Sequence, residues 1–150
     1  MKTIGVLGLG SIGTRHAKNI ADLGHKVLTY DPVVAPGEIQ DVLRQSDAIV
    51  IASSTESHGP LLEHCVVHGK PMLVDKPIAH ANPERVKKIL DDAGVKGLPI
   101  MVGNNLRFHS CVQKAKEWID DNKIGTPRWG NFVVAQYSDK NPYLRDGVTL

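Results

Sequence analysis

The sequence predicts an α/β protein built on a doubly wound parallel sheet, followed by the start of an α+β unit. Short apolar runs alternate with helical patterns, the runs lack polar–apolar alternation, and the pattern changes after residue 122. Apolar strands separated by helices are typical of a parallel sheet covered on both faces. The predicted strands are Thr3–Leu7, Lys26–Tyr30, Ala48–Ala52, Pro71–Val74 and Leu98–Val102. The predicted helices are Ile12–Leu23, Glu38–Gln45, Gly59–His68, Pro83–Ala93 and Ser110–Asn122.

The first predicted strand runs directly into a glycine-rich loop that opens the first helix. The motif is Gly8-x-Gly10-x-x-Gly13, within VLGLGSIGTRHA. In this strand–loop–helix context Gly8 permits a tight turn, Gly10 lets the backbone approach a pyrophosphate, and Gly13 lets the helix pack on the strand. Free N–H groups around Ser11 and Ile12 would then face phosphate oxygens. The pattern predicts a dinucleotide site.

An acidic residue, Asp31, follows the second predicted strand, 18 residues after Gly13. A carboxylate at this distance is placed to bond the ribose hydroxyls of an adenosine, and it would repel a 2′-phosphate. No Arg or Lys follows within the next few residues, so we predict NAD as the cofactor, with NADP less favoured. The alternative is that Asp31-Pro32 is an ordinary turn.

The connection from the second to the third predicted strand is short. The 16 residues from 32 to 47 can hold one helix and a single crossover, but not a further strand and a second crossover. We therefore predict that Lys26–Tyr30 is an edge strand and that the usual outermost strand of this half is missing.

Polar clusters follow the last three predicted strands. In open α/β sheets ligands bind beyond the carboxyl ends of the strands, at the same edge as the glycine loop. The clusters therefore predict a binding edge, and Lys76 in MLVDKPIAH is part of it. The alternative is that these charges are simply solvated where a strand surfaces. The clusters are Ser53-Ser54-Thr55 with His58, then Asp75-Lys76-Pro77, then Gly103-Asn104-Asn105-Leu106-Arg107-Phe108.

Composition and charge limit the number of domains and argue against nucleic-acid and membrane partners. The 150 residues, 41% of them hydrophobic, suffice for one packed domain and are short for two. The formal net charge is +2 without a basic stripe, so we expect no nucleic-acid partner. Because no apolar run approaches the length that spans a bilayer, we expect a cytoplasmic protein with no membrane partner.

Cysteine usage favours a reducing compartment. Cys65 and Cys111 form no Cys-x-x-Cys motif, and we expect both to be small buried hydrophobic residues without a disulfide. His64 and His68 flank Cys65 at a spacing that can bind zinc, but no third ligand stands at a fitting position. His68 followed by Gly69 instead indicates the end of a helix, so we predict no metal site.

Together these motifs resemble one family, that of glucose–fructose oxidoreductase, inositol dehydrogenase and MocA (Gfo/Idh/MocA), which are NAD(P)-dependent oxidoreductases. The resemblance runs from Gly8 to about Gln136 and implies a Rossmann-type nucleotide-binding domain. The resembling segments, in order, are GLGSIGTRHA, IASSTESHGPLLEHCVVHGKPMLVDKPIA, VGNNLRFH and IGTPRWGNFVVAQY.

The resemblance implies roles for the polar clusters. The family motif Glu-Lys-Pro matches Asp75-Lys76-Pro77, with Asp in place of Glu, and the lysine–proline peptide is often cis in the family. The family lysine lies near the nicotinamide and the substrate hydroxyl, so Lys76 is the implied catalytic residue. The other implied cofactor contacts are Ser53, Ser54 and His58 along the dinucleotide, Asp75 and Pro77 beside the lysine, and Asn104 and Arg107 over the nicotinamide side.

The resemblance also implies a second domain that supplies substrate specificity, an oligomer interface and a catalytic histidine. After residue 122 KIGTPRWG is turn-like and NFVVAQY alternates like a half-exposed strand. We therefore predict an NAD-binding domain over 1–122 and the beginning of an incomplete substrate domain over 123–150.

The implied function is an NAD-dependent oxidoreductase of a sugar, polyol or related small molecule, present as a chain that binds the dinucleotide with little turnover. The alternative is a non-catalytic NAD-binding or dimerisation module. Because WGNFVVAQY would leave an unpaired apolar strand, we also expect homo-oligomers.

Overall fold

Strands and helices alternate along the described part of the chain. The computed structural model describes residues 1–78, 82–131 and 133. Within them, the strands are β1 (Thr3–Leu7), β2 (Lys26–Tyr30), β3 (Ala48–Ile51), β4 (Met72–Val74) and β5 (Ile100–Val102). The helices are α1 (Ser11–Asp22), α2 (Ile39–Gln45), α3 (Thr55–Val67), α4 (Pro83–Val95) and α5 (Ser110–Asp120), with a 3₁₀ turn at Asn105–Phe108.

All five strands pair in parallel, in the order β2-β1-β3-β4-β5. The chain moves from β1 outward to β2, then returns past β1 to β3 and continues to β5. This reversal beside β1 opens a crevice at the carboxyl ends of β1 and β3, where ligands bind in such sheets. The doubly wound, Rossmann-like sheet is confirmed, and β2 is an edge strand of it, as predicted.

The sheet carries helices on both of its faces. On one face Leu7 and Ile51 are fully buried in a cluster with residues of α2, α3 and α4. On the other face Val6 and Val50 pack with residues of α1. Because neighbouring residues of one strand point to opposite faces and both faces are packed, these strands read as unbroken apolar runs.

The chain divides into two compact units, Met1–Asn105 and Leu106–Leu150. The first unit contains the whole sheet with α1 to α4, and α5 belongs to the second. The predicted functional boundary at residue 122 stays a prediction. Five of the seven residues of the predicted strand NFVVAQY lie outside the described residues. No helix among those described has the length and hydropathy required to cross a bilayer.

Two expectations are wrong in detail. α3 begins at Thr55, directly after Ser54, so Pro60 lies inside the helix instead of near its start. Proline is common at the first helical position, which is why the sequence pattern placed the start too late. Cys65 is buried as predicted, but Cys111 is exposed, because α5 buries none of its described residues. Both cysteines are free.

Candidate functional site

The glycine loop between β1 and α1 has three glycines with different surroundings. Gly8 has φ +95°, and a Cβ there would lie 2.6 Å from the Ser53 Cα. A Cβ on Gly13 would lie 1.9 Å from the Gly8 carbonyl oxygen. A Cβ on Gly10 would meet nothing within 4 Å. Gly8 and Gly13 are therefore required by the protein's own packing, whereas Gly10 faces open space where a ligand can approach.

The start of α1 presents free hydrogen-bond donors. Its N-cap is Gly10, which offers no side-chain cap, and the first turn holds no acidic residue. Among the described residues, the backbone N–H groups of Gly10, Ser11, Ile12 and Gly13 have no hydrogen-bond partner. Four free donors at the positive end of a helix dipole form a site suited to an anion.

The Asp31 carboxylate is bonded to the same loop. Its Oδ2 accepts the Leu9 N–H at 2.8 Å, and its Oδ1 accepts the N–H groups of Val33 and Val34 at 2.9 and 3.1 Å. These bonds, that from Leu9 first, hold the pKa of Asp31 below its ordinary value of 3.8. The carboxylate is thus kept charged and fixed beside the glycine loop. Oδ2 retains capacity to accept a further hydroxyl, since a carboxylate oxygen has two lone pairs and Oδ2 accepts only one N–H, whereas Oδ1 already accepts two.

The β3 loop packs against the glycine loop and leads into α3. Its hydroxyls bond to one another, with 2.7 Å from Ser57 Oγ to Ser53 Oγ and 3.3 Å from Ser54 Oγ to Ser57 Oγ. The Ser57 hydroxyl also lies 2.7 Å from the Ser54 carbonyl oxygen, and its single proton is donated either to this carbonyl or to Ser53 Oγ. The structure thus brings Ser53 and Ser54 to the carboxyl edge of the sheet, beside Gly8. Sequence reasoning missed Ser57, which lies one helical turn beyond Ser53.

The Asp75-Lys76-Pro77 segment leaves β4 at the same edge. The Lys76–Pro77 peptide is cis, as the resemblance implies. Lys76 is exposed, and among the described residues its ammonium has no hydrogen-bond or ion-pair partner. A lysine donor at the binding edge that the described residues leave without a partner is available to a ligand oxygen.

Asp75 connects this segment to α1 and to β5. Its Oδ1 lies 3.4 Å from Nε2 of His16, which is on the helix that follows the glycine loop. A Cβ on Gly103, just after β5, would lie 3.1 Å from the same carboxylate oxygen, so the glycine leaves room for it. Helix α1 and the segments that follow β4 and β5 thus meet around one carboxylate. Sequence reasoning did not identify His16, although its position one turn after Gly13 on α1 is compatible with this edge.

His58 occupies a different position from the other predicted contacts. Its ring is buried, with Nδ1 2.8 Å from the Pro77 carbonyl oxygen and Nε2 3.2 Å from the Ser53 carbonyl oxygen. Both nitrogens therefore face the protein's own backbone. The prediction that His58 lines the dinucleotide stays a prediction, and the ring's contacts are with the two loops that carry other predicted residues.

The last predicted contacts fall in different units. Asn104 is the second-last residue of the first unit. It is exposed, and its backbone N–H donates to the Val102 carbonyl at 2.7 Å. Arg107 belongs to the second unit and is also exposed, with its guanidinium carbon 5.8 Å from the centre of the Phe108 ring. Both stay predictions as nicotinamide-side residues.

Comparisons with a family model and with individual known proteins agree on the family of this chain. A model of an oxidoreductase family with an NAD-binding Rossmann fold, named for Gfo, Idh and MocA, matches residues 31–104. The inositol 2-dehydrogenase of Rhizobium meliloti strain 1021 is 31% identical, over 81% of this chain and 41% of that protein. The chain belongs to the Gfo/Idh/MocA family.

Other members of the Gfo/Idh/MocA family are similar over the same region. The myo-inositol 2-dehydrogenase of Thermotoga maritima is 26% identical, over 83% of this chain and 42% of that protein. The crystal structure of scyllo-inositol dehydrogenase from Lactobacillus casei, with bound NAD(H) and scyllo-inositol, superimposes with a TM-score of 0.75 at 25% identity. The superposition covers 83% of this chain and 42% of the Lactobacillus casei chain. The chain thus spans about two fifths of the length of these relatives.

Proposed function

We propose that this chain forms the nucleotide-binding part of an NAD-dependent oxidoreductase that acts on a secondary alcohol of a sugar, polyol or related small molecule. The observation that carries the proposal is the grouping, at one sheet edge, of a donor-rich glycine loop, a fixed carboxylate at Asp31 and the exposed Lys76, whose ammonium has no partner among the described residues. The substrate class is supported by the inositol dehydrogenases among the relatives.

The residues present fit a dinucleotide. The open space at Gly10 and the free N–H groups of Ser11 and Ile12 suit a pyrophosphate, which needs close backbone approach and several donors. The Asp31 carboxylate suits a ribose, since its Oδ2 can accept one further hydroxyl. The backbone of Ser53 lies next to Gly8, and the hydroxyls of Ser53 and Ser54 are both bonded to Ser57, so this loop suits the next part of the same ligand. When bound, the nicotinamide supplies the hydride acceptor or donor.

Lys76 is proposed as the catalytic residue of this chain. Its ammonium would donate a hydrogen bond to the substrate hydroxyl oxygen, which orients the alcohol and stabilises negative charge that develops on that oxygen. Asp75 and Pro77 would set the backbone from which the lysine extends. Asn104 and Arg107 are proposed to contribute on the nicotinamide side.

For the 150 residues themselves we propose dinucleotide binding with little or no turnover. The resemblance implies a catalytic histidine in the second domain, and a general base is needed to take the alcohol proton. We propose that these 150 residues do not supply that base. A purified chain that oxidised inositol or another polyol at about 1–10³ per second, the usual range for enzymes, would contradict this proposal.

The test of the cofactor assignment is a calorimetric titration of the chain with NAD and with NADP. We expect NAD to bind at least about tenfold more tightly, because a 2′-phosphate beside the charged Asp31 carboxylate is a like-charge contact. The substitution Asp31→Asn removes the charge while keeping an acceptor, and it should bring the two affinities closer together.

The matched control is Asp41→Asn, which removes the same charge from the exposed side of α2. It should leave the NAD preference unchanged. Equal affinity of the unaltered chain for NAD and NADP, or tighter binding of NADP, would overturn the assignment. If neither nucleotide binds, the proposed function fails as a whole.

A further inference from the structure

His58 is a buried polar residue beside the proposed site. It is the fourth residue of α3 and is 1% exposed, and Ser46 is the other buried polar residue among those described. Removing an imidazole from water costs free energy unless its nitrogens find hydrogen-bond partners. The partners of this ring therefore determine what it contributes.

Each ring nitrogen of His58 faces a backbone carbonyl of a different loop. Nδ1 lies 2.8 Å from the Pro77 oxygen and Nε2 lies 3.2 Å from the Ser53 oxygen. A neutral imidazole carries one N–H, so it can donate to one of these two acceptors, and only the doubly protonated ring can donate to both. The shorter distance assigns a proton to Nδ1, which then donates to Pro77.

The loop that carries Lys76 has few other restraints. Pro77 has no N–H to donate, and within the described residues the bond from His58 is the one hydrogen bond made by the segment 76–78. On the other side of Lys76, the Asp75 N–H donates to the Ile51 carbonyl at 2.9 Å. Ile78 packs against the apolar cluster that also contains Ile51. The backbone of Lys76 is thus fixed on both sides, and on the Pro77 side by His58.

We propose that His58 is a positioning residue whose Nδ1–H fixes the Pro77 carbonyl and thereby directs Lys76 toward the nicotinamide end of the site. The inference rests on the proposed function of Lys76. A lysine side chain has many rotamers, so the direction in which its backbone is held decides where the ammonium can reach. His58 acts through the backbone of its neighbour and does not itself contact the ligand.

Two substitutions distinguish the role of Nδ1 from the role of Nε2. In His58→Asn the amide nitrogen lies near the position of Nδ1 and can still donate to Pro77. In His58→Gln it lies near the position of Nε2 and can donate to Ser53 instead. Both variants replace the ring by a smaller neutral amide, so each serves as the control for the other.

The measurement is the affinity of the full chain for NADH and for ADP-ribose, which lacks the nicotinamide. The resemblance implies that Lys76 also lies near the nicotinamide, so a displaced lysine should cost NADH affinity. We expect His58→Gln to weaken NADH binding about tenfold and His58→Asn by no more than about threefold, the difference being one hydrogen bond. ADP-ribose affinity should change less than about twofold in both variants, and its retention shows that the chain is folded. Equal losses of NADH affinity in the two variants would overturn the proposal.

A double-mutant cycle with Lys76→Ala tests whether His58 acts through the lysine. If it does, adding His58→Gln to Lys76→Ala should weaken NADH binding no further than Lys76→Ala alone. Independent, additive losses would show that His58 has only a structural role. If the unaltered chain binds neither NADH nor ADP-ribose, the proposed function has failed, which is a different outcome from failure of this inference.

A measurement on the unaltered chain remains decisive if the variants do not fold. A long-range ¹H–¹⁵N spectrum of the histidine rings reports which nitrogen of His58 is protonated. We expect a proton on Nδ1, with or without a second on Nε2. A proton on Nε2 alone would place the donor on Ser53 and would overturn the proposal.

Discussion

Single residues of the glycine loop show two different reasons for having no side chain. At Gly13 the limit is internal, because a Cβ would lie 1.9 Å from the Gly8 carbonyl oxygen. At Gly10 the protein sets no limit, since a Cβ would meet nothing within 4 Å. A requirement for glycine at position 10 therefore points to a ligand and not to the fold.

This contrast gives a paired prediction. Gly13→Ala should lower the free energy of unfolding by about 1–3 kcal/mol, as overpacking does, and should also weaken NAD binding. Gly10→Ala should change the free energy of unfolding by less than about 0.5 kcal/mol while weakening NAD binding about tenfold, because the added methyl group enters the space proposed for the pyrophosphate. Denaturant unfolding and calorimetric titration give the two quantities.

The opposite pattern would contradict the proposed placement of the pyrophosphate. If Gly10→Ala bound NAD as tightly as the unaltered chain, no phosphate would approach that backbone. A Gly13→Ala variant of normal stability would instead show that the loop can move away from Gly8.

The sequence revealed local parts of this site and not its long-range contacts. Gly8, Gly10 and Gly13 form a motif because their roles depend on one continuous loop, so spacing along the chain predicts them. His16 and Asp75 are 59 positions apart and meet only because β1 and β4 end at the same edge. Sequence order could predict that both lie near this edge, but not that their side chains touch.

Among the elements, β2 is joined to the glycine loop through the residue that follows it. Asp31 accepts from Leu9, and the Gly8 N–H donates to the Tyr30 carbonyl at 2.8 Å. Asp31 also forms an isolated bridge with Ala35, which closes the turn after the strand. The end of the edge strand and the loop that follows β1 therefore hold each other in place.

These bonds predict a pH dependence that can be measured. The pKa of Asp31 is lower in the folded chain than its ordinary value of 3.8, because Leu9 first, then Val33 and Val34, donate to the charged carboxylate. The folded state thus prefers the ionised form. Its stabilising contribution is complete above about pH 3.8 and is lost as the pH falls through the lower folded value.

The check compares urea unfolding of the unaltered chain and Asp31→Asn from pH 7 to pH 2. The unaltered chain should be the more stable at neutral pH, and the difference between the two should shrink below about pH 3.8. A difference that stayed constant down to pH 2 would mean that the carboxylate and the N–H groups are not bonded in solution.

At the level of elements, the boundaries of α3 show where local patterns mislead. Gly59 and Pro60 read as the beginning of a helix, yet the helix begins at Thr55 and passes through both. Extending the helix by one turn places His58 in the buried interior, where its contacts with Pro77 and Ser53 form. The position of β2, in contrast, followed from chain length alone, since residues 32–47 have room for a single crossover.

The whole molecule comprises two units, and the residues proposed for the adenosine and pyrophosphate lie within Met1–Asn105. Ligand binding stabilises the folded unit that binds it. NAD at 100 times its dissociation constant should therefore raise the free energy of unfolding of this unit by about 2.7 kcal/mol.

Hydrogen exchange with and without NAD can distinguish the two units. Amides of β1, β3 and α1 should exchange more slowly in the presence of NAD, by the factor that corresponds to this stabilisation, because they open only when the first unit unfolds. Amides of α5 belong to the second unit, which holds only Arg107 of the proposed contacts, and they should gain less protection. Equal protection of both sets would show that the two units unfold together, and no protection would contradict NAD binding.

The open side of β2 has a consequence for how such proteins can vary. Within the described residues β2 has a strand neighbour on one side only, and a seven-residue helix carries the chain back across the sheet. A strand and its crossover could be gained or lost at this border without moving β1, β3 or the loops that follow them. The border is thus a place where insertions and deletions can accumulate during evolution while the geometry of the crevice is inherited unchanged.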